Sequence, residues 1–179
     1  MKPIITFFFI CLSAMAFCQN TKTAFPYSWE GKWAGMLEVF SDTGKVQQLP
    51  MQLHILPLDT LPKAWTWRIV YGTEKDGARP YELITVDAEK GQYLIDEKNS
   101  ILMEGYYLGG KFYQWFEVQG SRLLTATEMR DGALEWEIVV SKEEPVSTTG
   151  GQVVEGEEVP PVLAFPVKVV QRARLEKRL

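Results

Sequence analysis

The residues of this chain that could do chemistry are few and scattered. One histidine, His54, serves the whole sequence, and the two cysteines, Cys11 and Cys18, both fall within the first eighteen residues. Ser/His and Cys/His nucleophile systems therefore lack most of their parts. No cluster with metal-ligand spacing exists, so no catalytic residue, metal site or cofactor is assigned and an enzyme is not expected. Asp96 and Glu97 are adjacent carboxylates, and paired acids do general acid–base work when their pKa values are pushed apart. Neighbours in a strand point to opposite faces, so these two do not converge, and Asp96-Glu97-Lys98-Asn99 reads as a polar turn. His54 shares the polar phase with Gln52, opposite Met51, Leu53 and Ile55; it reads as a surface residue and not as a haem ligand. Gly35, Gly105, Gly109 and Gly110 lack the spacing and the following helix of a phosphate loop.

What remains is binding chemistry. If the aromatic phase of each segment points inward, the interior holds Trp33, Trp65, Trp67, Tyr71, Tyr81, Tyr93, Phe112, Phe116 and Trp136. Each such ring buries about 150–250 Å², so the set either fills the interior or walls a pocket, which small-molecule sites favour. Arg79, Thr85, Gln114, Thr125 and Thr127 share that apolar phase. Polar groups inside cost energy unless paired, so they either orient the polar end of a ligand or stand at strand ends near water. The candidate pocket is thus Trp65, Trp67, Tyr71, Arg79, Tyr81, Tyr93, Gln114, Phe116, Thr125 and Trp136.

The elements that must position these residues are strands. In 133–140, Leu134, Trp136, Ile138 and Val140 share one face and Glu135 and Glu137 lie on the other; in 64–71, Trp65, Trp67, Ile69 and Tyr71 oppose Thr66 and Arg68. That is one buried and one wet face. Further period-two segments cover 29–40, 46–56, 79–87, 92–96, 101–108, 111–119 and 122–130, nine strands in all. Turn residues such as Gly109-Gly110, Gln119-Gly120 and Asp131-Gly132 join them as hairpins. No connection is long enough for a crossover helix, which argues against a parallel sheet. Short antiparallel strands must become a sandwich or a barrel to hide their edges; sequential hairpins favour the barrel, so the fold expected is all-β, a single antiparallel up-and-down barrel of nine or ten strands.

The barrel body is placed at 27–142. Residues 143–163 hold Glu143, Glu144, Glu155, Glu157 and Glu158 with Pro145, Pro160, Pro161 and Gly150-Gly151, a composition without a core, which reads as a flexible acidic loop. In 164–179, Val167, Val169, Ala173 and Leu175 alternate with Lys168, Arg172 and Arg174. That is a tenth strand closing the barrel beside the first, with a basic tail; a basic helix is the alternative.

The N-terminus is an address. Lys2, an apolar run over 4–12 and the small-residue stretch ending at Cys18 have the layout of a secretory signal peptide, 1–18. Cleavage after Ala16 or after Cys18 fits; the run is too short for a membrane anchor. Lipidation at Cys18 is disfavoured by Phe17 before it. The protein is expected to be exported, periplasmic or secreted. A formal net charge of −4 argues against a nucleic-acid partner.

Gly31-Lys32-Trp33 opens the first strong strand, and a Gly-x-Trp at that place in an exported antiparallel β protein resembles the lipocalin-like (calycin) barrels. The segments 65–72, 79–83 and 93–97 look similar to uncharacterised bacterial lipocalin-like proteins. The resemblance implies that Trp33 plugs the closed end, that the open end admits a small apolar ligand, and that a last-strand arginine, Arg172 or Arg174, covers the plug. The family's Thr-Asp-Tyr turn is missing, the strands are too many, and no helical lid follows the first strand. Two functions stay open: an exported barrel binding a small apolar or aromatic ligand, or a filled barrel of the cell envelope that contacts a protein partner through the acidic loop or the basic tail.

Overall fold

The computed structural model describes residues 24–178; the signal-peptide reading and its cleavage positions at Ala16 and Cys18 lie outside the described residues. A one-turn 3₁₀ helix at Tyr27–Trp29 leads into β1 (Gly31–Ser41), so the first strand starts two residues later than its alternation suggests. Then come β2 (Gly44–Ile55), β3 (Ala64–Tyr71), a single helical turn α1 (Glu74–Gly77), β4 (Ala78–Asp87), β5 (Gln92–Asp96), β6 (Leu102–Leu108), β7 (Lys111–Val118), β8 (Ser121–Arg130) and β9 (Ala133–Lys142). Four short strands follow, β10 (Ser147–Thr149), β11 (Val153–Val154), β12 (Glu157–Glu158) and β13 (Val162–Ala164), before β14 (Val167–Arg178).

The nine strands β1 to β9 pair in sequence order, and β14 fits antiparallel between β9 and β1, closing a ten-stranded up-and-down barrel. The C-terminal segment is therefore a strand and not a helix, as its period-two pattern predicts. Asp131-Gly132 shows why the hairpins are tight: both residues have positive φ (50° and 78°), the geometry of a two-residue turn whose twist matches the flanking strands. The aromatic phase faces in. Trp33, Trp65, Trp67, Tyr93, Phe112 and Trp136 are buried in one cluster with Leu53, Ile55, Leu83, Leu134 and Leu175.

Successive strands reverse direction, so the connections gather at two ends. At the end where β1 begins, residues 24–30 lie across the barrel. Phe25 stacks on Tyr107 and Phe112 and meets Trp29 and Tyr93 edge-on. Trp33 Nε1 donates to the Trp29 carbonyl at 2.9 Å, within the buried cluster. The cation over the Trp33 ring is Lys177, with Nζ 5.3 Å from the centroid. This corrects the expectation of Arg172 or Arg174 there. Lys177 is in the inward phase of Ala173 and Leu175 and pairs with Trp33 in register. Arg172 and Arg174 are in the outward phase, the former over the Phe40 ring, the latter paired with Glu135 and Glu176.

Residues 143–163, expected as a flexible loop, form a two-tier hairpin at the opposite end: β10 pairs with β13 and β11 with β12. Every residue from 142 to 165 is exposed, so backbone pairing and turn glycines make this arm, not a core. One junction of the barrel is incomplete. β6 and β7 pair only over 106–108 with 111–113, leaving 102–105 and 114–118 without ladder partners across the seam.

Candidate functional site

The open half of the barrel encloses a cavity of about 150 Å³. β3 supplies Trp67, Ile69 and Tyr71 at alternate positions, and β4 supplies Tyr81. Ile95 and the residue just past β5, Glu97, form the next part of the wall, followed by Met103 of β6. Gln114 and Phe116 of β7, Thr125 and Thr127 of β8, and Trp136 and Ile138 of β9 complete it. Strand alternation explains the whole set, since each member is two residues from the next on its own strand. β1, β2 and β14 contribute nothing, because Leu37, Met51 and Ala173 fill their side.

The polar groups in this wall define what it can accept. Gln114 is only 7% exposed, and its Nε2 is buried with no hydrogen-bond partner, the one such side-chain atom among the described residues. An unpaired buried amide costs about 1–3 kcal/mol. Burial pushes the Tyr71 hydroxyl far above its ordinary range. The Tyr81 hydroxyl is raised by burial first and then by the Glu97 carboxylate, with Arg79 opposing. Both phenols are therefore neutral at physiological pH. The only ionisable carboxylate of the wall is Glu97, and no lysine or arginine lines it.

Seven of the ten expected pocket residues come together here: Trp67, Tyr71, Tyr81, Gln114, Phe116, Thr125 and Trp136. The other three stand elsewhere. Trp65 is at the closed end, its Nε1 donating to Glu30 Oε1 at 2.9 Å. Tyr93 is there too, its hydroxyl directed to the Phe25 carbonyl at 3.3 Å. Arg79 is in the inward phase but at the end of its strand, exposed, donating to the Ala78 and Asp76 carbonyls. Trp33 is at the closed end, well away from the cavity wall. Asp96 and Glu97 diverge: Asp96 meets Lys98 outside, whereas Glu97 faces the cavity. His54 is on the outer face beside Gln52, its pKa lowered by burial and then by Arg68 and Lys32.

The expected pocket left out Ile69, Ile95, Glu97, Met103, Ile138 and Thr127, the last of which the sequence places only in the inward phase. Their signal was present, since Ile69 and Ile138 continue the phase of Trp67 and Trp136. Glu97 continues the phase of Tyr93 and Ile95 one residue past the strand. Outside the wall, a groove of about 460 Å³ follows the seam between β6 and β7, lined by Ile101, Leu102, Trp115 and Val118 with Glu104 and Glu117; it shares Met103, Phe116 and Glu97 with the cavity. A hollow of about 350 Å³ on the outer wall of β8 and β9 is larger than the cavity. Most of its charged side chains already have partners: Lys111 and Arg130 both meet Glu128, Arg172 meets Glu38 and Glu135 meets Arg174.

Fold and site together define a ten-stranded up-and-down barrel with an aromatic-walled cavity at one end. No protein-family model matches the chain, and no curated protein matches its sequence. Among the described residues no three His, Cys, Asp or Glu side chains gather as a metal-holding group, and no helix is long and apolar enough to cross a membrane.

Proposed function

We propose that this protein is an exported lipocalin-like barrel that binds a small apolar or aromatic molecule non-covalently in the open-end cavity and releases it unchanged. The observation that carries this reading is the unpartnered Gln114 Nε2 inside an aromatic wall whose other polar members are Tyr71, Tyr81, Glu97, Thr125 and Thr127. A buried donor kept without an acceptor is a standing cost that a bound carbonyl or ether oxygen would remove. A cavity of about 150 Å³ takes one ring or a short chain. Export rests on the signal-like layout of residues 1–18.

Thermal unfolding and tryptophan fluorescence across lipids, sterols, porphyrins and simple aromatic ketones test the proposal. A ligand at one hundred times its Kd stabilises by about 2.7 kcal/mol, so a Tm rise of several degrees is expected, and it should vanish in Gln114→Leu for acceptor-bearing ligands. No shift across the panel would contradict it.

The reading as a cell-envelope interaction protein draws on a different observation, the arm at 142–165. It is exposed throughout, with Val146, Val153, Val162 and Leu163 each at least half exposed. Capture of a protein partner that is lost on deleting 143–163, by a barrel that binds nothing from the panel, would favour it.

A further inference from the structure

The backbone ladder between β6 and β7 stops where the cavity meets the wall. Residues 102–105 of β6 bond only to β5, and 114–118 of β7 only to β8. The unladdered stretch has a fixed lower end. The Phe112 ring lies against Gly105 so closely that a Cβ there would come within 2.2 Å of it, which pins the two strands beside their last ladder pairs. Above that point the groove and the cavity share Met103, Phe116 and Glu97 as a common border. Outside the border, Leu102 is 58% and Trp115 is 74% exposed. Contiguous exposed apolar side chains on a soluble surface mark a contact site.

We infer that the ligand is elongated and leaves the barrel sideways. Its inner end carries a neutral acceptor held by Gln114 Nε2, and its apolar tail passes between Met103 and Phe116 onto Trp115 and Leu102. This rests on the binding reading above and specifies the ligand class. The inner end is neutral because no cation lines the cavity and Glu97 repels an anion. The tail end is not acidic, because Glu97, Glu104 and Glu117 border the groove. Length follows from size: sites for drug-sized ligands run to about 300–1,000 Å³, more than the cavity alone provides but within reach of cavity and groove together.

A homologous series of phenyl alkyl ketones, acetophenone to decanophenone, tests the inference on the full chain. Affinity is expected to rise about two- to fourfold per added methylene, the gain of partly to fully buried CH₂ groups. Trp115 is the exposed member of six tryptophans, the other five being buried. Iodide quenching therefore reports on it, and should fall with decanophenone but not with acetophenone. Trp115→Ala, a surface change that the fold tolerates, should lower the ratio of decanophenone to acetophenone affinity several-fold. If acetophenone binds while affinity stays flat or falls with length, the sideways path is overturned and the binding reading stands. If no ketone of any length binds, the neutral-acceptor ligand is overturned, and the wider panel decides the binding reading separately.

Discussion

At the closed end of the barrel Phe25 meets Trp29 and Tyr27 meets Trp65 edge-on, and the indole N–H groups of Trp33 and Trp65 each reach an oxygen at 2.9 Å. At the open end, Trp67, Tyr71 and Trp136 surround free space, and the Gln114 amide reaches nothing. The residue types are alike; the difference is whether the polar atoms are satisfied. A satisfied aromatic cluster has no use for a ligand and serves stability. An unsatisfied one keeps an open demand, and that end is where we propose binding.

Truncation is the most forceful way to break this contrast. Trp33→Ala removes a buried indole and frees the Trp29 carbonyl, and should cost about 3–5 kcal/mol in denaturant unfolding. Phe116→Ala, at the half-buried rim, should cost about 1–2 kcal/mol, in proportion to the smaller area it hides. Equal costs would mean that the two ends are not differently built. Gly105→Ala comes next: its methyl would enter the Phe112 ring, and overpacking of this kind costs about 1–3 kcal/mol.

A gain of stability is the sharper sign of a binding site. Gln114→Leu removes the unpaired amide and should stabilise the empty protein by about 1 kcal/mol, while abolishing the stabilisation given by acceptor-bearing ligands. Destabilisation instead would show that the amide has a structural partner.

The smallest effects are in the pH profile. Burial raises the Tyr71 pKa, so its neutral form is favoured in the folded state. Its contribution is complete below the unfolded value of about 10 and is lost as pH rises from there towards the folded value. Tyr71→Phe should flatten that alkaline loss, read by Tm between pH 9 and 11. His54 has the opposite sign, its pKa lowered chiefly by burial. Its contribution holds above about 6.5 and declines as pH falls below, and His54→Gln should soften that acid limb.

Much of this was legible in the sequence, for a physical reason. Alternation of two is a local property, so Trp65 to Tyr71 and Leu134 to Val140 declare their faces without any tertiary information. Antiparallel pairing followed from connections too short for crossovers, the barrel from hairpins in unbroken sequence, and the β14 strand from the phase of Val167 to Leu175. Phase does not give height along the barrel. Trp65 and Tyr93 share the inward face with Trp67 and Gln114 yet stand at the other end, because height depends on register and strand direction, which are long-range. Arg79 shows the same limit: inward by phase, outside by position. Nor did composition disclose the arm's ladders, which rest on backbone pairing, or the short ladder of β6 with β7, beside which Phe112 packs against Gly105.

The side-chain amide of Gln114 offers the most direct test. Its ¹H–¹⁵N NMR cross-peak, assigned by its disappearance in Gln114→Leu, should move on titration with an aromatic ketone, together with backbone signals of Trp67, Phe116 and Trp136 and without those of Trp29 and Trp33. A ketone that binds while the Gln114 amide stays still, or that perturbs the closed end instead, would contradict the account.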